Sequence, residues 1–281
     1  MQGIDLHAHT TASDGTLTPT EVAELAVLTG LVAFAVTDHD TIDGLEEASA
    51  AAARLGIEFV PGIELAVTYP SGRFHMLGYL IDHQNPALSG RLQKLKDNRA
   101  NRNHIMLRNI QALGIPLTLE EVEAVSGGGQ IGRPHMALAM VQRGITATTQ
   151  EAFDRYLADG AAAHVPKDKI SFEEGLDLIH AAGGLASLAH PDSLKLDDSR
   201  LAEDLVRLKE AGLDGVECYY SQHNRARTDW LLQQAERCGL MVTGGSDFHG
   251  APKPNVFLGR VLDGRPVPYE ILDRMKARRP I

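Results

Sequence analysis

The chain has 281 residues, 43% hydrophobic and 23% charged, the proportions of a soluble globular protein. That length suits one barrel-sized domain or a core domain with an insertion, and no apolar run reaches the roughly 18 residues of a membrane-spanning helix. Lys plus Arg number 27 against 37 Asp plus Glu, a net charge of −10, which argues against long DNA as a partner, since such affinity comes from neutralised phosphates.

A strand-like segment, Gly3–His7, comes almost at once, without a basic or hydrophobic leader, so no export signal is expected. Thr18-Pro19-Thr20-Glu21 then opens a helix over Thr20–Thr29 with a capping residue, a proline in the first turn and an acid. Val32–Thr37 reads as the second strand and Leu45–Leu55 as an Ala- and Leu-rich helix. Glu58–Ile63 and His75–Ile81 read as the third and fourth strands. The rhythm breaks between about Ser89 and Pro166. Arg91–Leu113 reads there as one long polar helix, followed by Leu119–Val125, the glycine-rich Ser126–Gly129 and helices at Pro134–Arg143 and Thr149–Ala158. Strands resume at Leu185–Ala189, Gly215–Tyr219 and Met241–Gly244, and Val256–Val261 is a candidate eighth strand or edge piece. The only cysteines, Cys218 and Cys238, fit a reducing, cytoplasmic setting.

Alternating strands and helices imply an α/β fold with a parallel sheet. Seven strands favour a closed or nearly closed (β/α) barrel, although the pattern alone is compatible with a doubly wound sheet. Residues 1–88 and 166–281 are expected to form this barrel, and 89–165 a helical insertion that caps it.

Histidines and acids gather at the ends of the strand runs. His7 and His9 alternate on one side of an extended segment, and Asp14 follows in a Ser-Asp-Gly turn. Asp38-His39-Asp40 ends the second strand and Glu64 the third; His75 starts the fourth, and His190 closes the fifth. Asp247-Phe248-His249 closes the seventh with a second alternating pair. A single histidine beside an apolar strand is usually a hydrogen-bonded structural residue. Here six of the twelve histidines and three acids fall on one expected face. Burying such a set without compensation is costly, and bound cations resolve the cost. Nine nitrogen and oxygen ligands with no thiolate suit three divalent ions, and Mn²⁺, Zn²⁺ or Fe²⁺ better than Ca²⁺ or Mg²⁺.

At these residues the sequence resembles the polymerase-and-histidinol-phosphatase (PHP) superfamily of metal-dependent phosphoesterases. The four motifs correspond to His7-Ala8-His9 with Asp14, Thr37-Asp38-His39-Asp40, Ala189-His190-Pro191 and Asp247-Phe248-His249, with Glu64 and His75 at the additional ligand positions. The resemblance implies a distorted seven-stranded β/α barrel. It implies His7, His9 and Asp247 on a first ion, Glu64 bridging to a second completed by His75 and His190, and Asp14, His39 and His249 on a third. The insertion and Gly132-Arg133-Pro134-His135 further resemble the branch that removes the 3′-phosphate of nucleoside 3′,5′-bisphosphates, some relatives of which trim short RNA from the 5′ end.

In the insertion, Arg99, Arg102 and Asn103 share a helix face. With Arg133, His135 and the backbone of Gly127–Gly129 they are the expected phosphate clamp. The expected chemistry is in-line attack on phosphorus by a hydroxide held between two ions. Glu64, Asp247 and His249 would serve at the chemical step, and Asp40 is a candidate proton donor to the leaving oxygen. Phe153, Tyr156, Tyr219 and Tyr220 are candidates for stacking a base. A small nucleotide or short RNA is the expected substrate. An amidohydrolase and a histidinol-phosphate phosphatase are the rival enzymes, and a metal-stabilised RNA-binding module is the rival without catalysis.

Overall fold

The computed structural model describes residues 3–70, 74–126, 131–166 and 168–279. The chain divides into two units, 1–90 with 169–281, and 91–168. In chain order the elements are β1 (Gly3–Asp5), α1 (Pro19–Leu28), β2 (Leu31–Val36), α2 (Leu45–Leu55), β3 (Glu58–Thr68) and β4 (Phe74–Tyr79). Then come α3 (Pro86–Ala112), α4 (Leu119–Ser126), α5 (Arg133–Gln142) and α6 (Thr149–Ala152), the last running on into a π-helical turn at Phe153–Leu157. Next are β5 (Ile170–Ser171), α7 (Phe172–Ala181) and β6 (Leu185–Leu188). A 3-10 turn at Pro191–Leu194 leads to α8 (Asp198–Glu210), β7 (Gly215–Tyr220), α9 (Arg225–Cys238), β8 (Met241–Gly245), β9 (Val267–Pro268) and α10 (Glu270–Arg278).

Local chemistry explains the helix ends. Thr18 and Glu21 form the reciprocal capping box, each side chain accepting from the other's backbone N–H, with Pro19 in the first turn. The long helix starts at Pro86 rather than Arg91, because the Asn85 side chain accepts from the N–H groups of Ala87 and Leu88 and caps it.

The strands form one sheet in the order β8-β7-β6-β4-β3-β2-β1-β9, with β5 paired to β3. Backbone bonds from Leu6 to Gly244 (3.2 Å), Asp247 to His7 (2.8 Å) and His9 to Phe248 (2.8 Å) bring the two ends of the path together, so the sheet is nearly closed. The apolar side chains of its strands, among them Ile4, Leu6, Phe34, Ile63, Leu65 and Leu77, are fully buried, each worth about 1.5–3 kcal/mol in transfer from water.

Two expectations are corrected. The sheet is mixed, since β4 runs antiparallel to both β3 and β6. Only the five residues from Tyr69 to Arg73 connect β3 to β4, too few for a parallel crossover, which needs a dozen or more. Val256–Val261 is a run of turns rather than a strand. Phe257 there is exposed, and the N–H of Gly259 goes to the Asp5 carboxylate (2.7 Å) instead of a ladder. The edge beside β1 belongs to β9, paired antiparallel.

The second unit is helical, with its own core of Met106, Ile110, Leu117, Val122, Met136 and Met140. No helix among the described residues is long and apolar enough to cross a membrane.

Candidate metal centre

Glu64 lies inside β3, not at its end as expected, because that strand runs on to Thr68, and His75 lies in β4; the other ligands sit in the loops and turns beyond the strands. His7 and His9 follow β1, where the chain is zipped to the segment after β8 through the paired Ala8 and Phe248. Their rings therefore lie on one side, with centroids 5.3 Å apart. Asp38 stays off the centre and holds the next loop, accepting from the Thr10 N–H (2.8 Å), the Thr10 hydroxyl (2.7 Å) and the Ser13 hydroxyl (2.5 Å). That loop presents Asp14. His39 and Glu64 pair as an isolated parallel bridge between the segment after β2 and β3. His190 and Asp247 adopt positive φ, 26° and 59°, in the turns after β6 and β8. A non-glycine residue held there marks a site where the surroundings enforce the backbone.

Five histidines converge on Glu64. Its Oε2 lies 3.3 Å from His7 Nε2, 3.1 Å from His9 Nε2 and 3.2 Å from His39 Nδ1. Its Oε1 lies 2.9 Å from both His75 Nδ1 and His190 Nε2. Asp247 Oδ1 faces His7 (3.5 Å) and His9 (3.3 Å), and Asp14 reaches His249 (3.4 Å), His9 (3.6 Å) and His39 (3.8 Å). Three overlapping groups have ligand atoms close enough to share an ion: His7, His9, Glu64 and Asp247; His9, Asp14, His39 and His249; His39, Glu64 and His75. His7 Nε2, both ring nitrogens of His9, and Glu64 Oε2 are buried without a hydrogen-bond partner. Orphaned lone pairs at this depth are costly. Several metal ions fit the arrangement, because each orphan becomes a ligand. The donor set is nitrogen and oxygen throughout, as first-row divalent metals favour.

The charge balance agrees. Burial favours the neutral form of Glu64, yet the neighbouring His39 and His7 and the hydrogen bond from His190 hold its carboxyl well below the usual range. Against the same burial penalty, the histidines around them hold Asp247 and Asp14 far below it. Burial opposes a proton on His9, but the Asp247 and Glu64 carboxylates beside it push its pKa up to about 9. Burial dominates at His39, which falls to about 4. Protons on His7 and His9 thus supply, in the metal-free protein, the positive charge the carboxylates require.

The centre forms the floor of a cavity of about 520 Å³, within the range of small-molecule sites. On its wall the outer oxygen of Asp247 accepts from the Tyr220 hydroxyl (2.8 Å) and from Lys253 Nζ (2.5 Å). Tyr220, a candidate for base stacking in the sequence, thus has its hydroxyl committed to a ligand. His223, without a role in the sequence pattern, is fully buried on the same wall, its Nδ1 3.0 Å from the Cys218 carbonyl.

Asp40 is half-buried and its Oδ1 accepts from the Ala66 N–H (3.0 Å); it braces β3 and does not line the cavity. The expected clamp residues belong to the second unit. Arg102 Nε donates to the Val165 carbonyl (2.7 Å), Asn103 to that of Ile131 (2.9 Å), and Arg133 to Leu157 (3.1 Å) and the Asp159 carboxylate (2.6 Å). Burial, together with the charges of Arg133 and Arg99, lowers the Arg102 pKa, so these three cations do gather. His135 accepts from the Gly132 N–H (3.1 Å) and caps α5. Gly127–Gly129 lie outside the described residues.

Sequence reasoning missed Asp5 and Glu217. Asp5 Oδ1 accepts from the N–H groups of His7 (3.1 Å) and Ser246 (3.0 Å), tying the first and last ligand loops together. Glu217 accepts from His7 and His190. The available signal was an acid inside an apolar strand, as in Gly-Val-Glu-Cys-Tyr-Tyr, where only a partnered carboxylate is tolerated.

Known proteins resemble this chain over nearly its whole length. The PHP domain model matches residues 5–207, a span running from Asp5 past His190. The 3′,5′-nucleoside bisphosphate phosphatase of Chromobacterium violaceum is 33% identical over 279 residues, 99% of this chain and 98% of that one. A 5′-3′ exoribonuclease of Haemophilus influenzae is 34% identical over 259 residues, 92% of this chain and 94% of its own. A crystal structure from Bifidobacterium adolescentis, described as a metal-dependent phosphoesterase, superposes with a TM-score of 0.77 at 31% identity, covering 100% of this chain and 97% of that one. The ligand cluster, the nearly closed sheet and these full-length similarities lead to one conclusion: the chain belongs to the PHP domain family of metal-dependent phosphoesterases.

Proposed function

We propose that this enzyme hydrolyses the 3′-phosphate of nucleoside 3′,5′-bisphosphates, giving a 5′-mononucleotide and phosphate. The observation that carries the reading is the gathering of nine candidate ligands, five of them histidines in contact with the buried Glu64 carboxylate, at the floor of a nucleotide-sized cavity. The full-length similarity to the Chromobacterium phosphatase supports the choice of substrate.

In this scheme His7, His9, Asp247 and Glu64 would hold one ion, Glu64, His75 and His190 a second, and Asp14, His39 and His249 a third, with Mn²⁺ the proposed metal. Ions so held polarise phosphoryl oxygens and make water acidic enough to attack at neutral pH. The water oxygen bonds to phosphorus as the bond to the 3′-oxygen breaks, and that oxygen takes up a proton. Tyr220 and Lys253 occupy the outer oxygen of Asp247 and leave its inner oxygen facing His7 and His9. Lys253 also sets a positive charge on the cavity wall, where it favours a phosphoryl group. We propose Arg99, Arg102, Arg133 and His135 as groups that recognise the second phosphate of the substrate.

A second reading, 5′-3′ exonucleolysis of short RNA, is favoured by the Haemophilus relative. Phosphate release with Mn²⁺ from adenosine 3′,5′-bisphosphate, 5′-AMP, histidinol phosphate and a short 5′-phosphorylated RNA separates the readings. The expected result is rapid release from the bisphosphate with AMP accumulating. Mononucleotides from the RNA alone would transfer the assignment to the nuclease, and a fully metallated protein silent on all four would refute both.

A further inference from the structure

Glu217 is not one of the nine candidate ligands, yet it contacts two of them, His7 and His190. It is fully buried on β7 in a strand otherwise without charge. Its Oε1 lies 2.8 Å from His7 Nδ1, and its Oε2 accepts the backbone N–H of His190 at 2.6 Å. Each of those residues directs its other nitrogen, Nε2, at Glu64, at 3.3 Å and 2.9 Å.

We propose that Glu217 is a positioning residue that couples two ion sites, holding the ring of His7 and the main chain of His190 so that both present Nε2 to the centre. The inference rests on the metal-centre reading and is independent of the substrate. A carboxylate at Nδ1 selects the tautomer with the proton on that nitrogen and leaves Nε2 as a free lone pair. His190 needs its anchor for a different reason. Its φ of 26° is one that L-residues rarely adopt; the turn it opens at Pro191–Leu194 binds its carbonyl through the Ser193 N–H (2.9 Å) and its Nδ1 through the Ser193 hydroxyl (3.1 Å), while its own N–H is held by Glu217. Both Glu217 contacts are donations to oxygen, so the residue must offer two acceptors. Glutamine is isosteric but offers one acceptor and a donor, and in either orientation its NH₂ faces an N–H.

The test compares wild type with Glu217→Gln by metal analysis after dialysis, competitive chelator titration with Mn²⁺, and thermal melting of the metal-free forms. Glu217→Gln is expected to bind metal about 10–100-fold more weakly, with a metal-free melting temperature near that of wild type. A variant that melts lower but binds metal with wild-type stoichiometry and affinity would overturn the proposal, because that is what a purely structural role produces. If wild type itself takes up no metal, the metal-centre reading fails, and that result is distinct. A second measurement does not depend on the variant folding. In Zn²⁺-loaded, ¹⁵N-histidine-labelled wild type, two-bond ¹H–¹⁵N spectra are expected to show the His7 proton on Nδ1; a proton on Nε2 would overturn the assignment.

Discussion

His75 Nδ1 lies 2.9 Å from Glu64 Oε1 because the strands that carry them run in opposite directions, with Ala66 paired to His75. In an all-parallel barrel a ligand at the start of a strand would sit at the face opposite the other sites. The reversal of β4 places its first residues beside the ends of its neighbours, and the ninth ligand arrives with the rest.

Glu64 is the shared contact of five imidazoles. Glu64→Ala is expected to lower kcat/KM by about 10³-fold or more and to reduce bound metal below wild type. Phosphate release and metal analysis on one preparation check this. Wild-type turnover with full metal content would contradict it.

The pKa of His9, raised to about 9 in the metal-free protein, gives a signed pH dependence. A histidine whose folded pKa exceeds the unfolded value of about 6.5 stabilises fully below that value, and the contribution is lost as pH rises through the folded pKa. Metal-free protein should therefore melt at falling temperatures between about pH 6.5 and 9. Metal has to displace the same proton, so affinity should climb across that window and loading near neutrality should release protons. Calorimetry in two buffers of different ionisation enthalpy reads the release; an affinity flat with pH would be the contrary result.

Gly245 ends β8 against the chain leaving β1. A Cβ there would lie 2.3 Å from the His7 nitrogen and 2.5 Å from its Cβ, with backbone on one side that has no room to yield. Gly245→Ala is expected to cost at least about 3 kcal/mol in the metal-free protein and to weaken metal binding by shifting His7. Denaturant melts and metal titration measure the two effects; a variant with wild-type values in both would refute the close approach.

Asp40 accepts from the Ala66 N–H at a φ of 52°, a conformation asparagine also tolerates. Asp40→Asn keeps the acceptor and the backbone but removes the acid. Given its place off the cavity, kcat is expected to stay within about threefold of wild type, since general acid catalysis is worth about 10²-fold or more. A hundredfold fall with metal content intact would restore Asp40 as the proton donor.

The clustered cations of the second unit can be tested by substrate contrast. If Arg99 and Arg133 recognise the second phosphate, Arg99→Ala and Arg133→Ala should raise KM for the bisphosphate by about 10-fold, while turnover of a nucleoside 3′-monophosphate changes little. Equal effects on both substrates would assign these arginines to the packing of their own unit, where Arg133 already binds Asp159 and the Leu157 carbonyl.

What the sequence determined by itself was what short-range periodicity carries. Alternation in His7-Ala8-His9 puts both rings on one side of an extended chain, whatever surrounds it, whereas Asp247 reaches the centre from a turn, at a φ of 59°. Each of the seven apolar runs overlaps a strand, and the capping box at Thr18–Glu21 forms as spelled. Tertiary structure decided the rest. The direction of β4 follows from the length of its connection, and the edge strand at Val267–Pro268 from pairing with a segment far away in sequence. The roles of Asp5, Glu217, Tyr220 and Lys253 depend on neighbours that only the closed sheet supplies. A buried carboxylate looks alike in sequence whether it binds an ion or steers the residue that does. Its partners distinguish the two, and for Glu217 the His7 partner lies 210 positions away.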